Sequence, residues 1–135
     1  MTSNKIKLIK LVPNEYPITV EISSTDYSLR KAVNSCNYRK AQIRAIDEDA
    51  CVIFNKDLSF SGLQPNRMIA DDILCGVVYI AGISDDGRLR SLDDDEIERY
   101  SQLFYEPESY TFDEAQSANL TYLYKAQLER FAVNA

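Results

Sequence analysis

Histidine and tryptophan are both missing from this 135-residue chain. Without histidine there is no Ser-His-Asp or Cys-His nucleophile pair, no imidazole general base and no metal site that depends on imidazole. Glycine is scarce, and all four glycines fall between Gly62 and Gly87. They form neither GxGxxG nor a GK[ST] loop, so dinucleotide and P-loop readings lack support. Ser61-Gly62 is not part of a GxSxG elbow. The three cysteines, Cys36, Cys51 and Cys75, are odd in number and have no CxxC spacing, which suits reduced thiols and a cytoplasmic location better than a disulfide framework or zinc. Long apolar runs are absent too. The longest uncharged one, Ile73 to Ile83, is far short of the ~20 residues that span a bilayer, and the lysines of "MTSNKIKLIK" interrupt what a signal peptide would keep apolar.

What is present describes a globular chain of one domain, 45% hydrophobic and 27% charged. Its net charge of −6 is uneven. Residues 1–44 hold eight bases and three acids, +5, and residues 45–135 hold seven bases and eighteen acids, −11. The imbalance is ordinary solvated surface or a polarised molecule suited to self-association or a charged partner.

"KIKLIKLV" and "PITVEIS" read as two strands joined by the proline-containing "VPNEYP". A helix with a Ser24–Asp26 cap and a Leu29, Ala32, Val33, Cys36 stripe follows. "RKAQIRAID" and the buried run "ACVIFN", separated by Asp47-Glu48-Asp49, predict a second hairpin. "GVVYIAGI" and "RLRSL" flank a strong Asp-Gly turn. Ser91 opens an acidic helix with the stripe Ile97, Tyr100 and Phe104, ended by Glu106-Pro107. A last helix begins near Thr111, with Glu114 three residues on and the stripe Leu120, Leu123, Tyr124, Leu128 and Phe131, a possible interface. The expected fold is α+β in one domain: a mixed or antiparallel sheet of about five to six strands, helices packed on one face, and a C-terminal helix. Residues 1–108 make the compact unit and 109–135 a helical extension.

"ISDDGRLRSLDDDE" fails as an EF-hand, since Gly87 at loop position six would put Gly82 where an Asp ligand is required. The punctuated segment "SGLQPNRMIADDILCG" is the main functional candidate. It is expected to be a crossover with a short helix from Met68 to Leu74, which places Asn66 and Arg67 at a helix N-terminus. Two readings stand. Asn66 and Arg67, with Asp71 and Asp72 nearby, hold an anionic ligand or a partner's acidic group. Alternatively, Arg67 pairs with Asp71 at i, i+4, Asn66 caps, and the segment is architectural. Asp71 and Asp72 point to different faces and are not a natural acid-base dyad. The nine tyrosines, five of them at 100, 105, 110, 122 and 124, suit either a core without tryptophan or an interface. This late cluster lies in the acidic part, which disfavours direct nucleic-acid binding.

"GLQPNRMIADDILCGVVYIAG", then "DDGRLRSLDDDEIERYSQLF" and "PE", resembles a small bacterial and phage family, domain of unknown function 3846. The resemblance runs from about Ile6 to Glu108 and rests on Gly62, Pro65, Asn66, Arg67, Asp72, Ile73, Gly76, Gly82 and Leu92. It implies a gene carried by phages, plasmids and integrative elements, and no assigned activity. The composite expectation is a cytoplasmic, non-enzymatic accessory or regulatory binding protein of a mobile element, acting on a host protein or defence system. It needs no cofactor and no metal, and it does not act at a membrane. The second expectation is a protein that sequesters an anionic small molecule or nucleotide through Asn66 and Arg67.

Overall fold

In Lys5–Leu11 the lysines alternate with isoleucine and leucine, and every branched residue of the run is buried while the lysines stay partly or fully solvated. This is the pattern of a strand in a sheet with two covered faces, edged by charge. The computed structural model describes residues 5–23, 41–55, 64–70 and 72–117. Eight strands and one helix of defined bounds lie in them: β1 (Lys5–Leu11), β2 (Ile18–Ser23), β3 (Ala41–Ala45), β4 (Ala50–Asn55), β5 (Pro65–Ile69), β6 (Asp72–Cys75), β7 (Val78–Ile83), β8 (Leu89–Arg90) and α1 (Asp94–Leu103). The helix expected after Ser24, together with Cys36, lies outside the described residues.

The six-stranded sheet has the order β2-β1-β7-β4-β3, with β8 added beside β7. All its pairs are antiparallel, so the fold is α+β with strands dominant. Three predicted hairpins are there. β1 pairs β2 across the proline-bearing loop, β3 pairs β4 across Asp47–Asp49, and β7 pairs β8 across the Asp-Gly turn. Gly87 in that turn has φ +83°, a backbone that disfavours any side chain.

β4 is buried at all six positions, as its unbroken apolar run predicts. One face of the sheet contributes Ile9, Leu11, Val52, Phe54, Val78 and Ile80 to a core shared with Ile69 and Leu74 of the β5–β6 hairpin and with Leu92 and Tyr100. The other face buries Leu8, Cys51, Ile53 and Ala81, with Val20 and Ile22 of β2 packed against them. Each fully buried aliphatic or aromatic side chain contributes about 1.5–3 kcal/mol, so these two layers hold the molecule together.

β8 enters the sheet as a wedge. β7 pairs with β1 at Val78–Ile80 but with β8 at Gly82 and Ile83. Beyond β8 the chain returns to β1: the Leu92 N–H donates to the Lys7 carbonyl at 3.0 Å, and the Lys7 N–H donates to Ser91 Oγ at 2.9 Å. Ser91 is therefore occupied as an acceptor for β1. Asp93, not Ser91, caps α1: it accepts from the Glu96 N–H at 2.8 Å, while Glu96 accepts from the Asp93 N–H at 3.0 Å. Glu96 also receives both terminal nitrogens of Arg90, at 2.7 and 2.8 Å, and this holds its carboxyl down at about 2. The Arg90 side chain lies across Gly82, where an added Cβ would come within 2.6 Å of Nη1. That close approach explains the glycine in mid-strand.

The predicted stripe of α1 is observed. Tyr100 is buried in the first core, with Ile97 and Phe104 packed against it. Its hydroxyl donates to Asp47 at 2.5 Å, tying the helix to the β3–β4 turn. A further helical stretch covers residues 112–117. It starts with the expected Thr111–Glu114 box, each side chain accepting from the other's N–H. Ala115 is buried against Ile73 and Cys75. The stripe Leu120, Leu123, Tyr124, Leu128 and Phe131 lies outside the described residues. No described helix is long and apolar enough to cross a membrane.

Cys51 and Cys75 are free and buried, Cys51 in the second core layer and Cys75 in a small cluster with Ile73 and Ala115. Burial pushes both thiols up to about 11, so at pH 8 they are protonated and sterically shielded. Native protein treated with iodoacetamide at pH 8 is expected to leave Cys51 and Cys75 unmodified by peptide mapping, and denatured protein to titrate three thiols. Rapid native labelling of either residue would contradict this packing.

Candidate functional site

The expected short helix from Met68 to Leu74 is not formed. The segment is an antiparallel hairpin, β5 against β6, apart from the main sheet. A seven-residue helix is too short to offset its own nucleation, whereas the hairpin buries Ile69, Ile73, Leu74 and Cys75 at once. The tight connection escapes sequence reading because no glycine or asparagine stands between Ile69 and Asp72. Ala70 takes φ +50° there instead.

The register of the hairpin places the candidate residues. Pro65 is opposite Cys75 and Met68 is opposite Ile73, so Asn66 and Arg67 together face the single residue Leu74. This is a β-bulge. It breaks the alternation of the strand and turns two consecutive side chains inward. Asn66 and Arg67 are both 0% exposed.

Their hydrogen bonds are nearly all to backbone carbonyls. Asn66 Nδ2 donates to Leu11 O at 2.9 Å and to Gly76 O at 2.8 Å, joining the hairpin to the end of β1. Arg67 Nη1 donates to Asn66 Oδ1 at 2.8 Å, Nε to Phe104 O at 2.9 Å and Nη2 to Glu15 O at 2.6 Å, with a longer contact from Nη1 to Val12 O at 3.4 Å. Burial presses the guanidinium below the ordinary arginine range, and the Glu108 carboxylate acts in the opposite direction. An arginine stays charged under such conditions, and carbonyl dipoles balance it here. In this arrangement neither residue offers a donor to a ligand from solvent.

Asp72, first in β6, is 1% exposed and takes Arg44 of β3 on Oδ2. The Arg44 guanidinium lies over the Phe54 ring, 5.0 Å from its centre. Among the described residues, Asp72 Oδ1 is buried with no hydrogen-bond partner. Asp72 therefore belongs to a different network from Arg67, and the structure does not join the two. Asp71 lies outside the described residues.

The Arg67 clamp has a consequence on the surface. The two carbonyls it grips most closely along the chain, those of Glu15 and Phe104, immediately precede Tyr16 and Tyr105. These two rings meet with centroids 4.8 Å apart at an interplanar angle of 35°. They are 56% and 50% exposed. Their segments, "EYP" and "YEP", carry Pro17 and Pro107, which restrict the backbone on either side. Composition alone marks Tyr105 as one of many late tyrosines and passes over Tyr16. The proline next to each acidic-aromatic pair is the local signal that singles them out. Glu108 fastens the same region by accepting from the Met68 N–H at 3.2 Å and from the Tyr110 hydroxyl, and this contact pushes the tyrosine up to about 12.

No curated protein and no solved structure matches the chain. A family model does match, over residues 6–105, which takes in the sheet, the β5–β6 hairpin with its bulge, α1 and Tyr105. The match ends before Pro107-Glu108, the last of the quoted motifs, and covers most of the chain, which therefore belongs to the family described as domain of unknown function DUF3846.

Proposed function

We propose that this protein is a small non-enzymatic accessory or regulatory binding protein of a phage or other mobile element. It acts on a host protein or defence system through a surface centred on Tyr16 and Tyr105. The observation that carries this reading is the exposed ring pair, held at 4.8 Å by a fully buried arginine that ties its two segments together. Tyrosine is enriched at interfaces because it offers a large amphipathic face with little side-chain entropy to lose. A pair already fixed by prolines and an internal clamp binds with less ordering cost than a mobile loop. The mobile-element setting rests on the family resemblance.

The second reading, a binder of anionic small molecules through Asn66 and Arg67, would require Arg67 to release the carbonyls of Glu15 and Phe104. The geometry favours the first reading.

The test uses immobilised full-length protein and a bacterial lysate, with Tyr105→Ala as the paired bait. The expected result is a stoichiometric protein retained by the wild type and lost from the variant. In parallel, phosphate, nucleotides and dicarboxylates are expected to leave the Tm unchanged. An anion bound at 100 times its Kd would add about 2.7 kcal/mol and raise the Tm by several degrees. Such a rise, with no Tyr105-dependent partner, would put the second reading first.

A further inference from the structure

We infer that the Tyr16–Tyr105 surface takes a basic, arginine-bearing segment of a protein partner; this rests on the binding reading above and specifies its chemistry. The exposed faces of two tyrosines carry the negative part of the ring quadrupole, which attracts a cation within about 6 Å of a ring centre. A guanidinium also stacks on such faces through its flat, weakly hydrated plane. The charge around the rings points the same way. Residues 12–18 and 103–110 hold Glu15, Glu106 and Glu108 and not one lysine or arginine. Glu15 and Glu106, each next to one of the tyrosines, are exposed. The cation beneath them, Arg67, is fully buried and directed at carbonyls, and Lys10, across from Ile18 in β2, is half-buried, so the exposed charges of these two segments are all negative. An acidic segment would meet repulsion here. A neutral one would leave two carboxylates without partners.

The probe is a fluorescein-labelled nona-arginine peptide, titrated by anisotropy with the full chain at about 0.15 M salt, where long-range attraction is largely screened. Tyr16→Ala and Tyr105→Ala keep the net charge and alter only exposed rings, so circular dichroism is expected to match the wild type. Each is expected to weaken binding about five-fold or more, with Tyr105→Phe restoring it. Asp94→Asn with Asp95→Asn removes two charges from the first turn of α1 and is expected to weaken binding less than two-fold. Equal binding by the tyrosine variants, or a larger loss from the α1 variant, would show diffuse charge attraction and overturn the inference. So would a labelled nona-glutamate peptide binding more tightly. A wild-type dimer in sedimentation that Tyr105→Ala dissolves would also overturn it, by making a second copy the occupant. If nona-arginine fails while a Tyr105-dependent protein is captured from lysate, the binding reading stands and the basic chemistry is wrong.

Discussion

Arg67→Met is expected to lower the unfolding free energy by about 3–5 kcal/mol, since several buried acceptors lose their common donor at once. Methionine retains much of the aliphatic stem, so the loss comes from the guanidinium. Its removal leaves the carbonyls of Phe104 and Glu15 and the Asn66 Oδ1 without the donors that satisfy them. A buried acceptor left without a donor costs about 1–3 kcal/mol. Water entering beside the exposed Tyr16 and Tyr105 recovers part of this, so the sum falls below the three separate costs. Small domains are stable by only about 5–15 kcal/mol, which makes the effect a large fraction of the total. Urea unfolding followed by tyrosine fluorescence would measure it, since the chain has no tryptophan. Arg67→Lys should recover little, because one ammonium cannot reproduce the fork that reaches Phe104 and Glu15 together. An Arg67→Met protein within 1 kcal/mol of wild type, a change on the scale of an exposed pair, would show that the clamp is not structural.

The second large effect concerns the other network. Arg44→Met is expected to cost about 2–4 kcal/mol, because it leaves the Asp72 carboxylate buried with neither oxygen paired. Arg44 is itself 28% exposed, so water reaching the vacated position keeps the figure below that for a fully enclosed pair. The Phe54 ring loses its cation at the same time, a smaller part of the loss. Asp72→Asn on the Arg44→Met background removes the stranded charge and should restore at least half of the stability. Thermal melts of the two single variants and the double variant close the cycle. Strict additivity, with no recovery in the double variant, would contradict the pairing.

Much of this molecule was legible because its local signals agree with its fold. Alternation in "PITVEIS", the unbroken run "ACVIFN", the Asp-Gly turn and the Ile97–Tyr100–Phe104 stripe each describe one element, and each element is there. The misreadings share a cause. Ser91 looks like a cap, but β1 takes its hydroxyl, and Asp93 two residues later supplies the cap and fits the box with Glu96. "MIADDIL" has helical spacing, yet Ile69, Ile73 and Leu74 are buried as parts of two short strands. In both places a partner distant in sequence outweighs a local preference worth about 1 kcal/mol.

The candidate site shows the same division more sharply. The chain alone determined that this is a strand-rich domain without imidazole chemistry, that its central strands are buried on both faces, and that Asn66 and Arg67 lie in its most punctuated segment. These follow from residue types and their periodicity, which are local properties. Only the tertiary structure decided what Asn66 and Arg67 do, because a one-residue bulge against Leu74 is a matter of register between two strands. That register turns both side chains inward, where desolvation obliges them to find acceptors. The acceptors are the carbonyls of Leu11, Glu15, Gly76 and Phe104, drawn from three separate stretches of chain. Carbonyls are common to every residue and carry no signature in sequence. The same is true of the Tyr16–Tyr105 pair: its members stand 89 positions apart, and the arginine buried beneath them ties their segments together.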